Sequence, residues 1–247
     1  METKEERKIS AGSYDLNKWL YGGYEKDIIT MIAGPAGSGK TNFTMIVALS
    51  QAKKGNKVIF IDTEGGFSVE RAKQLVEGEY EECMKNIFLL KPTNFEEQKK
   101  DFFKLMKLVG SESAIRLIIV DGMTMLYRLE LGDAVQSKDD KKIKLVNREI
   151  AKQMRILAEI ARKRNIPIII TNQVYSKFLS EEEFRKGTER ETNLVGGDLL
   201  KYWSKCIIEL KMEKGKRQAF LIKHRSLPEK SLEFEIINKG IRKKGWI

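Results

Sequence analysis

Long apolar runs are missing from this sequence. Its longest aliphatic stretches, such as Leu117-Ile118-Ile119-Val120 and Ile168-Ile169-Ile170, are short. Crossing a bilayer as a helix takes roughly 20 apolar residues, so a helical membrane span is excluded. The charged start, Met1 to Arg7, lacks the apolar stretch of a secretory signal. Cysteine is scarce: Cys83 and Cys206 stand far apart and match neither a zinc nor a dithiol spacing. His224 is the only histidine, which rules out a cluster of metal-binding histidines. Internal repeats and low-complexity linkers are absent as well. These absences point to a soluble protein of a reducing, cytoplasmic setting with no membrane partner. Acidic residues are also outnumbered, 35 against 46 lysines and arginines, for a net charge of +11. Two explanations stand side by side: solubility, or an acidic partner, most often nucleic acid.

What is present is a core-forming chain. Of 247 residues 41% are hydrophobic, which suits one medium α/β domain over 1–247 with a short segment and helix at 1–25. Ser13 is placed to cap a short helix bearing Leu16, Trp19 and Leu20, stopped by Gly22-Gly23. Ile28 to Ala33 reads as a buried strand. A helix from about Thr41 to Lys54 follows, with Gly55 as its stop. Strands at Val58–Ile61 and Ile87–Leu90 flank a helix near Val69–Glu77. Asn94 precedes an amphipathic helix carrying Phe95, Phe102, Leu105, Met106 and Val109. After the strand Leu117–Val120, residues Ile143, Val146, Ile150, Met154, Leu157 and Ile160 recur at helical spacing. Ile168 to Thr171 is another buried strand. The tail reads as hairpins: Cys206–Met212 and Gln218–Lys223 about Lys214-Gly215, then Leu232–Ile237 and a turn at Asn238-Lys239-Gly240. Uniformly aliphatic early strands are those of a mostly parallel sheet with helices on both faces. The expected fold is therefore a mostly parallel central sheet flanked by helices, finished by antiparallel C-terminal strands.

The motif that carries chemistry is Gly34-Pro35-Ala36-Gly37-Ser38-Gly39-Lys40-Thr41, which fits G-x-x-x-x-G-K-[ST] at every fixed position. Glycines let the backbone turn its N–H groups onto phosphate oxygens. Lys40 reaches the β- and γ-phosphates of ATP, the Thr41 hydroxyl binds Mg2+, and the following helix adds the positive end of its dipole. Asp121 ends the strand Leu117–Val120, where a carboxylate can hold the Mg2+ water shell; an ordinary strand-terminal Asp before Gly122 is the alternative. Glu64 ends another strand and can deprotonate the attacking water, a role for which Asp62 competes. Gln173 ends the last buried strand, where an amide can touch the γ-phosphate or simply terminate the strand.

Taken in order, Gly34–Thr41, Phe60–Gly65 with Glu70-Arg71, Leu117–Asp121 with Leu126-Tyr127-Arg128, Ile170–Val174, Val195-Gly196-Gly197 and Leu227-Pro228-Glu229 resemble the ATPase core of the RecA/RadA recombinase family. The likeness is strongest to its short archaeal RadB branch. The resemblance implies a RecA-type fold, with Glu64 as the water-activating carboxylate, Gln173 as the γ-phosphate sensor and Arg71 among the nucleotide contacts. The segments after Asp121 and after Gln173 become the two DNA-facing loops.

Departures from the family pattern refine this expectation. The core begins almost at once, without the helical N-terminal DNA-binding domain and polymerisation linker of full recombinases. The second loop, Lys177 to Glu191, carries Glu181, Glu182, Glu183, Glu189 and Glu191 against Lys177, Arg185, Lys186 and Arg190, a poor phosphate groove. The expectation is an ATP-binding accessory protein of DNA repair and homologous recombination, weakly hydrolytic, that binds DNA, single-stranded for preference, and assists a RadA-type recombinase. It can also self-assemble. DNA contacts are expected at Lys223, His224 and Arg225, a segment that in the family touches a neighbouring subunit's nucleotide. The alternatives are a non-hydrolysing ATP-gated interaction module and a KaiC-like signalling ATPase.

Overall fold

The computed structural model describes residues 7–176, 192–194 and 197–245. The acidic second loop, Val195 and Gly196 lie outside the described residues. One sheet organises the rest. Its central strand is β3 (Ile29–Gly34), flanked on one side by β7 (Ile168–Ser176), β6 (Ile115–Asp121), β4 (Lys57–Asp62) and β5 (Ile87–Leu90). These five strands are mutually parallel. On the other side β9 (Ser204–Glu213) pairs parallel to β3 and starts an antiparallel run through β10 (Lys216–His224), β11 (Lys230–Ile237) and β12 (Gly240–Lys243). The short β8 (Thr192–Leu194) pairs antiparallel with β7, and β1 (Lys8–Ile9) with β2 (Tyr24–Glu25) forms a separate ribbon.

Alternate residues of each parallel strand serve opposite faces, which is why these strands are apolar throughout. In β6, Leu117 and Ile119 join one core cluster, while Ile118 and Val120 join the other. The first core lies under α1 (Tyr14–Trp19), α2 (Lys40–Lys53), α3 (Val69–Val76) and α4 (Tyr80–Met84). The second lies under α5 (Phe95–Ser111), α6 (Met125–Gln136), α7 (Asp140–Arg164) and α8 (Gly197–Trp203). Phe43 of α2 meets Phe234 of β11 edge-on, centroids 5.2 Å apart, which packs the phosphate-loop helix against the hairpin strands.

The expected elements are present, with caps where the chemistry placed them. Ser13, Ser68, Asn94 and Asp139 each accept the backbone N–H three residues on. Asn165 closes α7 in the left-handed conformation. Several elements go beyond the sequence reading: the β1–β2 ribbon, α4, β8, α8, β12, and α6, which fills most of the segment after Asp121 that the resemblance makes a loop. Met106 is 47% exposed and so is not a core residue of α5.

Candidate nucleotide-binding site

Parallel strands end together, and here their carboxyl ends bring the predicted residues to one edge. Gly34 closes β3, Asp62 closes β4, and Asp121 closes β6. Gln173 lies on β7 opposite Gly34. Between β3 and α2 the chain makes the phosphate loop, with Gly37 at φ 73 and Gly39 at φ 109, backbone conformations that disfavour a side chain. Gly39 is the N-cap of α2, with no capping side chain and no acid in the first turn. The first N–H groups of that helix are therefore left for a ligand. Ser38 is fully buried and its hydroxyl has no partner among the described residues. A buried hydroxyl without a partner, next to a helix N-terminus that no side chain caps, fits an anion such as a phosphate chain.

Lys40 is buried and folded back, its ammonium donating to the carbonyl oxygens of Gly34 and Pro35 at 2.9 Å each. Burial pushes its pKa down, against the opposing pull of Glu64 and Asp121. The cation thus already faces the two acidic strand ends across the loop.

Asp121 is held by hydroxyls. Thr171 donates to Oδ1 at 2.5 Å and Thr44 donates to Oδ2 at 3.2 Å. Burial raises its pKa, and hydrogen bonds from Thr171 and Thr41 work the other way. The Thr41 hydroxyl and the Asp121 carboxylate are therefore neighbours, as a shared Mg2+ requires. No cluster of three or more His, Cys, Asp or Glu residues exists among the described residues. That suits Mg2+, which commonly takes one or two protein carboxylates and fills its shell with water and phosphate oxygens.

The two carboxylates of the β4 end have different surroundings. Asp62 is buried, and its oxygens accept the backbone N–H groups of Gly66 and Phe67 at 3.0 Å each. Its role in the structure is to shape the turn. Glu64 is exposed and accepts a hydrogen bond from the Gln173 amide at 3.2 Å. The two residues read separately as base and sensor thus touch each other. Arg71 sits beside the loop helix, donating from Nε to Asn42, the residue after Thr41, at 2.8 Å. Its other nitrogens bind the Gln74 side chain and the carbonyls of Ile237 and Asn238. It pins the β11–β12 turn to α2 and α3.

The basic triad is not the free cationic cluster that was expected. The Arg225 guanidinium binds Glu25 at 2.6 Å and Asp27 at 2.7 Å, so its charge is met by two carboxylates. The His224 side chain is 3% exposed, and its Nδ1 accepts the N–H groups of Ser226 and Leu227 at 3.1 Å each. Burial lowers its pKa, which favours the neutral ring. Lys223 donates to the carbonyl of Lys201 in α8 at 2.7 Å.

Sequence reasoning missed Thr44, Thr171 and Gly122. A Cβ on Gly122 would stand 2.5 Å from Glu64 Oε1. Thr171 comes to the site through the pairing of β6 with β7, and Thr44 through the seat of α2 on the sheet.

Comparison with known proteins agrees with this geometry. A Rad51 family profile matches residues 3–244. The chain belongs to the Rad51 family. It is 38% identical to a protein named DNA repair and recombination protein RadB from Methanosphaera stadtmanae, over 92% of both chains. A protein of the same name from Methanococcoides burtonii is 39% identical over 98% of this chain and 100% of its own. A solved RadB recombinase structure superposes with a TM-score of 0.74 at 31% identity, covering 96% of this chain and all of that one. The mostly parallel sheet with antiparallel C-terminal strands is thus a fold this Rad51-family chain shares with that recombinase. No helix among the described residues is long and apolar enough to cross a membrane.

Proposed function

We propose that this chain is an ATP-binding accessory protein of DNA repair and homologous recombination. It acts in the cytoplasm, binds DNA, turns ATP over slowly and assists a RadA-type recombinase. The observation that carries the reading is the meeting of Lys40, Asp121, Glu64 and Gln173 around the phosphate loop. In this reading the loop from Gly34 to Thr41 takes the phosphates, and Arg71 borders the nucleotide. Thr41 and Asp121 hold Mg2+, which neutralises phosphate charge when bound. Glu64 accepts a proton from the attacking water, and Gln173 releases Glu64 to contact the γ-phosphate. The names of the relatives support recombination rather than signalling as the setting.

A second reading, an ATP-gated module without turnover, draws on one observation: the Glu64 carboxylate is already engaged by Gln173. The test is ATP hydrolysis by the purified protein with and without single-stranded DNA, alongside binding to the main recombinase. Slow turnover with a binding shift is expected. ATP binding with no turnover favours the gated module, and absence of recombinase binding removes the accessory role.

A further inference from the structure

The excess positive charge of the chain has a place in the fold, and it is not the Lys223–Arg225 segment. Arg148, Arg155 and Arg162 of α7 are exposed, and none is ion-paired with a described carboxylate. They are spaced seven residues apart. Seven residues are close to two helical turns, so the three lie on one face, drifting by only about 20° per step. At about 1.5 Å rise per residue the row runs roughly 21 Å. Alongside it, α8 ends in two adjacent aromatics. Tyr202 is 69% exposed, and Trp203 is half-buried against the core. Their rings meet edge-on with centroids 5.5 Å apart, and the Lys205 ammonium sits 5.3 Å from the Tyr202 ring centre. A groove of about 810 Å3 runs between α7 and α8, floored by Trp203 and walled by Arg148 and Arg155. It continues past Arg162 towards β9 and Lys205. Glu149, Glu159 and Asp27 are the acids on this strip, and each is paired with a cation: Lys152 at 3.7 Å, Lys163 at 2.5 Å and Arg225 at 2.7 Å.

We infer that the α7–α8 groove binds single-stranded nucleic acid, with a base stacked on Tyr202 and the backbone phosphates along Arg148, Arg155 and Arg162. A row of unpaired guanidiniums attracts any polyanion. An exposed aromatic ring beside the row selects a strand whose bases are free to stack, which a duplex does not offer. The inference rests on the DNA-binding part of the proposed function and gives it a surface on the helical face. None of the residues lining that surface belongs to the phosphate loop.

The test uses the full chain with fluorescent oligothymidine of about 20 nucleotides and a duplex of equal length, titrated at several salt concentrations. Sedimentation is run on the same samples. Two variants suffice: Arg148→Gln/Arg155→Gln/Arg162→Gln, and Tyr202→Ala. Three lost phosphate contacts should flatten the single-strand salt slope by about 2, at roughly 0.7 per contact. Tyr202→Ala should weaken single-strand binding roughly tenfold and duplex binding little. ATP affinity should stay unchanged in both. If the wild-type chain binds no DNA, the DNA-binding reading itself fails. If wild type binds and the triple variant keeps its salt slope, that reading stands and the groove is not the site. Loss of self-association with an unchanged salt slope assigns the groove to a second copy of the chain and overturns the inference. Equal loss on single strand and duplex in Tyr202→Ala removes the stacking role and with it the preference for single strands.

Discussion

Gly122 leaves room for Glu64: a side chain on the glycine would begin 2.5 Å from the Glu64 carboxylate oxygen. The backbone N–H and carbonyl of Gly122 are also tied to the Thr63 hydroxyl, at 3.0 and 2.7 Å, so the glycine cannot easily retreat. The obstructed atom is the far end of an exposed, flexible side chain. Gly122→Ala should therefore move Glu64 and spare the fold. ATP should still bind, and turnover should fall at least tenfold. Unchanged turnover in a folded variant would show that Glu64 does not need its observed position.

The two carboxylates at the β4 end separate by what each loses. Asp62→Asn removes a charged acceptor from the Gly66 and Phe67 N–H groups. Hydrogen bonds to charged groups contribute about 1.5–3 kcal/mol each, so a loss of about 2 kcal/mol of unfolding stability is expected by urea titration. Glu64→Gln should leave stability within about 0.5 kcal/mol, as exposed substitutions generally do, and should slow hydrolysis. The reverse pattern, a stable Asp62→Asn without turnover and an active Glu64→Gln, would reassign the base.

Asp121 is a site where function works against stability. Its pKa is raised by burial, so the folded state holds the proton more tightly than the unfolded chain does. Stability of the nucleotide-free protein should therefore fall as pH rises from the ordinary aspartate range through the raised folded value. Wherever the buried carboxylate is ionised, that charge is a net cost to the fold. Asp121→Asn should raise the melting temperature of the nucleotide-free protein and abolish the Mg2+ dependence of ATP binding. In the wild type, that dependence should weaken on acidification at a higher pH than an ordinary aspartate would set. A lower melting temperature together with intact Mg2+ dependence would contradict both assignments.

Arg225 should behave as a structural residue. Arg225→Ala strands the buried Glu25 carboxylate without its closest cation. Removing one partner of a fully buried pair costs about 3–5 kcal/mol. The arginine side chain is 41% exposed, and solvent screening reduces the expected loss to about 1–2 kcal/mol. DNA affinity and its salt slope should hardly change. A flattened salt slope without loss of stability would return Arg225 to the DNA contacts.

The strand, loop and helix around Gly34–Thr41 were legible because the whole motif lies within eight consecutive positions, between two elements that the apolar pattern also shows. Asp121, Glu64 and Gln173 were legible as polar ends of apolar strands. The contacts of Asp121 with Thr44 and Thr171, and of Glu64 with Gly122, join segments distant in the chain, and nothing local records them. The helix α6 escaped notice because its apolar residues do not keep to one face: Leu126 is buried, while Leu129 and Val135 are each 56% exposed. α4 is too short, at five residues, to show a period. The ion pairing of Arg225 was not legible because the acids that meet it lie about 200 positions away in the chain.

The central claim is that the loop from Gly34 to Thr41 binds ATP through Lys40. The most direct measurement is the affinity of the full chain for ATP with Mg2+, compared with Lys40→Ala, by calorimetry on samples shown to be folded. Among the described residues Lys40 donates only to two carbonyls of its own loop, and Lys40→Ala leaves the apolar core untouched, so the variant should fold. ATP affinity should drop at least a hundredfold, as expected when a charged partner of a phosphate group is deleted. Equal ATP affinity and equal turnover in a folded Lys40→Ala protein would contradict the account.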